Sequence, residues 1–193
     1  TNPWFSPGAA IYLYEASPTI TACTLRGDGG ALYGITVAGD QVGNSAPTIT
    51  NNTLTGFREA GISISAQAGL YEGNRLDGNG TGIYAYYSSP NPVIRANSYS
   101  NNGRTVVLFG MIDSAVVWDA SDNATYRIDW PSIAAGGSLA INPGSHIDLA
   151  GEIALGANGS LTLGTGSTVQ AGAGAGLRIY GTLNAEGVTF TAL

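Results

Sequence analysis

Apolar and polar positions alternate with a period of two through most of this chain, and glycine, asparagine or proline interrupts the alternation every few residues. Segments such as Thr48-Ile49-Thr50, Thr53-Leu54-Thr55, Gly61-Ile62-Ser63-Ile64 and Ser160-Leu161-Thr162-Leu163 have the pattern of short β-strands with one buried face. No segment sustains apolar residues at helical spacing, so the pattern predicts an all-β protein.

The strands recur in phase. Pro47-Thr48-Ile49-Thr50-Asn51-Asn52-Thr53-Leu54 reads as two short strands meeting at a corner on asparagine, with Gly61-Ile62-Ser63-Ile64 following after a loop. The same arrangement occurs at Pro18 to Leu25, Leu70 to Leu76 and Pro92 to Tyr99, each followed by a further apolar strand: Gly34-Ile35-Thr36-Val37, Gly82-Ile83-Tyr84-Ala85 and Thr105-Val106-Val107-Leu108. The corners at positions 23, 52, 74 and 97 are 29, 22 and 23 residues apart, the length of one coil of a parallel β-helix with a longer loop allowed at one corner. Stacking would then set Cys23, Asn52, Asn74 and Asn97 in one column. Asparagine tolerates a left-handed backbone at a corner, and its amide can bond the next amide along the axis. Cys23 reads as a small apolar end to that ladder.

From about residue 114 the wording changes, and a second kind of coil follows from 134. Ser138 to Ile147 and Ser160 to Val169 each carry strict alternation, a Gly-Ser turn and a second strand, 22 residues apart. Leu139, Ile141, Leu161 and Leu163 are expected to point inward, and Gly151 to Leu155, Leu177 to Leu183 and Val188 to Phe190 continue the theme. Residues 114–133 read as a register change between the two kinds of coil. The whole of 1–193 is therefore expected to be one β-helix domain, with asparagine-cornered coils over 1–113 and the second type over 134–193. Eight or nine coils at a strand spacing of roughly 4.8 Å give a rod about 40 Å long.

Composition narrows the function classes. The 29 glycines in 193 residues suit a chain of many corners, where positive φ is needed. Thirteen acidic residues outnumber seven basic ones, all arginine, and the net charge of −6 offers no basic stripe for nucleic acid or anionic lipid. No run of about eighteen apolar residues is present to insert in a membrane. One cysteine makes no internal disulfide. The low charge, with abundant Gly, Ser, Thr and Asn, points to an extracellular or cell-surface protein. Thr1, with no basic and apolar leader after it, reads as the start of a mature chain or of an excised piece.

These repeats resemble the right-handed parallel β-helix proteins of bacterial surfaces and the pectate-lyase-like solenoids. The phrases that carry the resemblance are SPTITACTL, APTITNNTLTG with GISI, and NRLDGNGTGIYA. GGSLAINPGSHI and LRIYGTLNAEGVTFTAL are similar to a second pattern of large secreted bacterial proteins. The resemblance implies a single-stranded right-handed parallel β-helix. For function it implies less, because such repeats serve lyases, hydrolases, adhesins and passive stalks alike.

Galacturonan hydrolases of this architecture would show Asn-Thr-Asp, Asp-Asp, Gly-His-Gly and Arg-Ile-Lys, and none is present. His146, the one histidine, follows a Pro-Gly turn at a position that Thr168 fills in the next repeat, which gives it a structural or solvent-facing role. Asp113, Asp119, Asp122 and Asp129 could reach one face and hold calcium as a lyase needs, but polar loop residues explain them as well. Arg75 and Arg95, beside successive corners, read as an outward column of solvated ion pairs with Glu72 and Asp77. No catalytic residue, metal or cofactor is expected. Tyr84, Tyr86 and Tyr87, with Tyr71 and Tyr99 one coil away, form the densest aromatic patch, suited to a sugar ring or a protein partner. Alternation puts Tyr84 and Tyr86 on one face and Tyr87 on the other.

No polar cap is evident at either end, and Val188 to Leu193 reads as a strand still in progress. The leading expectation is a non-catalytic structural subunit that associates with itself end to end, with Tyr12, Tyr14, Val188 and Phe190 at the contact. Two other readings stand beside it: a β-helix that binds or cleaves polysaccharide, and a stalk or adhesin segment.

Overall fold

The computed structural model describes residues 8–39, 45–65, 67–87, 92–119 and 124–192. Among these residues the chain forms 23 strands and no helix, and every strand pairing is parallel. It is a parallel β-solenoid of about eight turns.

A leading strand β1 (Ala9–Tyr14) precedes coils built from two short strands and a long one. The first coil has β2 (Thr19–Thr21), β3 (Thr24–Arg26) and β4 (Tyr33–Ala38). The second has β5 (Thr48–Thr50), β6 (Thr53–Thr55) and β7 (Ala60–Ser65). The third has β8 (Leu70–Glu72), β9 (Arg75–Asp77) and β10 (Thr81–Tyr87). The fourth has β11 (Val93–Arg95), β12 (Ser98–Ser100) and β13 (Arg104–Ile112). Then come β14 (Ala115–Trp118) and β15 (Thr125–Ile133). Four-residue strands follow: β16 (Ser138–Ile141), β17 (His146–Leu149) and β18 (Glu152–Leu155), then β19 (Ser160–Leu163), β20 (Thr168–Ala171) and β21 (Gly176–Ile179). The last described coil holds β22 (Thr182–Ala185) and β23 (Thr189–Ala192).

The long strands stack as β1-β4-β7-β10-β13-β15. Two narrow sheets, β2-β5-β8-β11 and β3-β6-β9-β12, flank the asparagine corner, and a new sheet, β14-β16-β19-β22, begins beyond them. The long face divides at β15, whose first half pairs with β17 and whose second half pairs with β18. At the division the register slips: Leu108 is opposite Ile128 but Gly110 is opposite Pro131, so Phe109 faces both Asp129 and Trp130. That two-against-one count is a β-bulge, which bends the strand and tolerates Pro131, a residue with no N–H for the ladder.

Inside the rod, strand alternation becomes axial columns of like side chains. One runs Ile11, Ile35, Ile62, Ile83, Val106, Tyr126, Ile147, Val169, Phe190. Its members from Ile35 to Val169 are at most 3% exposed, and each stabilises the fold by about 1.5–3 kcal/mol through burial. Leu139, Ile141, Leu161 and Leu163 are buried as expected. Where the coil type changes, the rings of Trp118 and Tyr126 stack at 5.1 Å inside the core.

The corners are held by amide ladders. Asn52, Asn74 and Asn97 are all buried, and each Nδ2 donates to the carbonyl of the coil behind: Ile20, Ile49 and Tyr71. The Asn52 and Asn74 amides also donate to the Oδ1 of the next asparagine, at 3.0 Å in both steps. The left-handed residue is not the ladder asparagine but the one before it: Ala22, Asn51, Gly73 and Ala96, with φ of 55°, 56°, 66° and 53°. That residue makes the turn, so the following backbone stays extended and its amide can reach along the axis. Cys23 belongs to the column through its backbone, whose N–H donates to Asn52 Oδ1, but it is not an apolar plug. It is exposed, and its thiol contacts Thr21 O.

A second ladder stands at the other end of the short strands. Asn79 accepts from the Phe57 N–H and donates to Leu54 O and Asn102 Oδ1, while Asn102 donates to Leu76 O. Asn79 opens an Asn-Gly-Thr glycosylation motif, yet at 3% exposure it is closed to modification in the folded chain. In the later coils Ser145 and Ser167 replace the asparagines, each hydroxyl donating to Asn142 O.

Candidate functional sites on the outer face and the last coil

Strand alternation puts Tyr84 and Tyr86 on the outer surface of the long sheet, 40% and 38% exposed. The ring they gather is Phe109 of the bulge, whose centroid lies 4.9 Å from each tyrosine. Tyr71 and Tyr99, grouped with this patch by sequence, are instead core residues at 0% and 7% exposure. They occupy the middle positions of β8 and β12, which face the interior, and the Tyr71 hydroxyl reaches Ala68 O. Burial pushes the Tyr71 phenol well above its ordinary value. Tyr87 ends β10, and its side chain lies outside the described residues.

Tyr84, Tyr86 and Phe109 line a concavity of about 450 Å³ completed by Met111, Asp129 and Ser132. Partial burial and the Asp129 carboxylate raise the Tyr84 pKa, and Arg104 opposes them. Asp129 is held by Arg127 at 3.3 Å. On the other side of that ion pair, Arg127, Asp148 and Gln170 border a second concavity of about 320 Å³. A third hollow, about 310 Å³, lies where β11 ends one sheet and β14 begins another, with Val93 and Val117 exposed beside it.

The aspartates do not converge. Asp113 and Asp119 flank β14 at its two ends, Asp129 is on the outer face, and Asp122 lies outside the described residues. Among the described residues no group of three or more His, Cys, Asp or Glu side chains could hold a metal. His146 sits in register with Thr168, half-exposed, 3.5 Å from Asp148. Arg75 and Arg95 do not share a column, because the corner puts them in different sheets. Arg95 pairs with Glu72 on the neighbouring coil at 3.1 Å, and Arg75 with Asp77 on its own strand at 3.5 Å. Asp77 also accepts from Ser100 and Asn101, and these bonds, Ser100's foremost, hold its carboxyl below the ordinary range.

Tyr12 and Tyr14 stack on the outer face of β1, 6.4 Å apart, rather than pointing along the axis. Phe190 does sit on the axis. It continues the core column above Val169 and is 51% exposed because no described coil covers it. Val188 is half-buried beside it, and Leu183 on the same coil and Leu177 on the one before pack against the core. No helix among the described residues is long and apolar enough to cross a membrane.

Residues 4–128 match a family model described as the right handed beta helix region. No curated protein and no solved structure gives a match.

Proposed function

This chain belongs to the right-handed β-helix family, and from that premise we propose that it is a non-catalytic structural protein of the extracellular space or cell surface that lengthens by end-to-end strand addition. The observation that carries this reading is the phase of the core column. Ile11 on β1 and Phe190 on β23 belong to one column, and the register would set a second copy's β1 on β23 with Ile11 over Phe190 and Leu13 over Ala192. Such a step adds a parallel strand pair and buries the exposed face of Phe190, 51% open in the single chain. It is a head-to-tail contact, which repeats without closing and gives a filament. The low charge and lack of lysine suit close lateral approach outside the cell.

The test is electron microscopy and sedimentation of the purified chain across a concentration series. Unbranched fibres that Phe190→Asp abolishes, with the strand content unchanged by circular dichroism, are the expected result. Single-chain particles at every concentration would overturn end-to-end assembly.

A further inference from the structure

We propose that the break between β11 and β14 is a strand-insertion site for an extended, uncharged peptide segment of a partner protein. This goes beyond the structural reading and does not depend on it, because the break lies within the rod and not at its ends. β11 is the last strand of one four-stranded sheet and β14 the first of another, and neither pairs across the gap. The hollow of about 310 Å³ between them is walled by Val93 to Arg95 on one side and Ala115 to Val117 on the other. The core is less closed here than in the neighbouring coils. Ile94 and Val116 are 6% and 7% exposed, whereas Ile49 and Tyr71, in the same column as Ile94, are at 0%.

Backbone hydrogen bonding shows what the gap lacks. The carbonyls of Pro18, Pro47 and Gly69 accept the N–H of Thr48, Leu70 and Val93, each one coil on. Pro92 O is next in that series, and no N–H among the described residues takes it. The carbonyls of Ile20, Ile49 and Tyr71 likewise accept the corner amides of Asn52, Asn74 and Asn97, and no asparagine among the described residues does this for Ile94 O. On the opposite wall, Ser114 O and Trp118 O accept from Ser138 and Asn142. Alternation then turns the N–H and C=O of Ala115 and Val117 away from β16 and into the gap. Unpaired backbone groups along two facing edges are matched by another backbone, and one added strand would join the two four-stranded sheets into a continuous ladder.

The side chains fix the kind of strand. Ile94 and Val116 face inward, so a strand between them sets its central residue in the core, and that residue must be apolar. Val93 and Val117, 47% and 61% exposed, stand on the outer side, where β-branched neighbours pack well. Arg95 is engaged by Glu72 at 3.1 Å, and Asp119 also borders the hollow. With one charge of each sign at the site and −6 on the whole chain, an uncharged peptide loses nothing there and an acidic one is repelled. The hollow is at the small end of ligand sites, room for a single strand and not for a folded domain. The inserted strand is continuous with the strand interfaces on either side. Thr48-Ile49-Thr50, which pairs with β2 and β8 at once, has the pattern that fits.

The experiment is fluorescence anisotropy of a labelled synthetic peptide, Ala-Pro-Thr-Ile-Thr-Asn-Asn-Thr, the wording of residues 46–53. It is titrated with the 193-residue chain carrying Phe190→Asp, so that end-to-end assembly does not confound the signal. Saturable binding is expected, with slower amide exchange at Ile94 and Val117 when the peptide is present. A peptide N-methylated at its first threonine, and one with aspartate in place of isoleucine, should each bind about tenfold more weakly. Ala115→Pro removes an N–H that faces the gap at the first position of β14, where proline is tolerated. It should weaken binding several-fold with an unchanged melting temperature, and Tyr180→Ala, on a later coil, should leave binding alone. Absence of binding, indifference to N-methylation, or protection of the Tyr12 or Phe190 amides in place of Ile94 and Val117 would overturn the proposal. So would dimers of the chain alone in sedimentation that the peptide dissociates, because a second copy would then hold the gap.

Discussion

Replacing Asn74 by alanine removes the centre of the first ladder. Its side chain makes four hydrogen bonds: Nδ2 donates to Ile49 O at 2.9 Å and to Asn97 Oδ1 at 3.0 Å, and Oδ1 accepts from the Asn52 N–H and Nδ2, both at 3.0 Å. Two of the partners keep another contact, since Asn52 Nδ2 still reaches Ile20 O and Asn97 Oδ1 still accepts from the residue 74 N–H. The Asn52 N–H is left without its acceptor, and Asn52 is 1% exposed, so that orphan costs about 1–3 kcal/mol. Each remaining bond is worth roughly 0.5–1.5 kcal/mol net. Allowing for relaxation, Asn74→Ala should destabilise by about 3–5 kcal/mol. Cys23→Ala, at an exposed position whose thiol bonds Thr21 O, should stay within about 0.5 kcal/mol. Urea denaturation followed by far-ultraviolet circular dichroism measures both, and amide exchange at Asn52 reads the local effect, because coils can open independently. A loss below about 1 kcal/mol for Asn74→Ala, or an equal loss for Cys23→Ala, would refute the ladder as the element that fixes the corner.

Two further substitutions test how the coils sit on one another. In Gly82→Ala the new Cβ would lie 2.6 Å from Thr105 O and 2.7 Å from Tyr99 Cδ1, so a stability loss of about 1–3 kcal/mol is expected in the same denaturation assay. Acid should loosen the third and fourth coils before the rest. Asp77 has a folded pKa below its unfolded one, so its contribution is present above the unfolded value, near 3.9, and is lost as pH falls through the folded value. Asp77→Asn should flatten that acid limb in a pH series followed by amide exchange at Ser100 and Asn101.

The ladder and the core columns were legible in the sequence because each recurs once per coil, and recurrence is what a stacked chain writes down. Ile35, Ile62 and Ile83 share a column, and so do Asn52, Asn74 and Asn97. The second ladder was hidden by its irregular wording: Phe57 stands where the asparagine should be, and Asn79 and Asn102 are embedded in Asp-Gly-Asn-Gly and Asn-Asn-Gly, which read as plain turns. Tyr71 and Tyr99 misled for a different reason. A tyrosine counts as an amphipathic surface residue until the strand phase is known, and three-residue strands leave only the central position facing inward. The pairing of Arg75 and Arg95 failed at the corner itself, since a turn between the two short strands puts residues 75 and 95 on different faces however well their spacing fits one coil.

The outer aromatic face was legible only in half, and the missing half explains why it is there. Tyr84 and Tyr86 follow from alternation, and Phe109 stands opposite Tyr86 in the unbroken β10–β13 register, but Asp129 stands at the bulge in β15, and nothing in residues 104–133 announces a bulge except Pro131. The bulge in turn follows from the change of coil. β13 is one straight nine-residue strand, whereas the coils above divide the same face between β17 and β18, so β15 must bend to serve both. The bulge sets two residues, Asp129 and Trp130, opposite the one residue Phe109 in the ladder. Regular coils supply rigidity and spacing, and the concave, chemically mixed surface arises where the regularity breaks. A chain in which β15 is straightened by deleting Asp129 would keep its ladders, its core columns and the Tyr84, Tyr86 and Phe109 cluster, which the β10–β13 register places, and would lose the acidic side of the concavity.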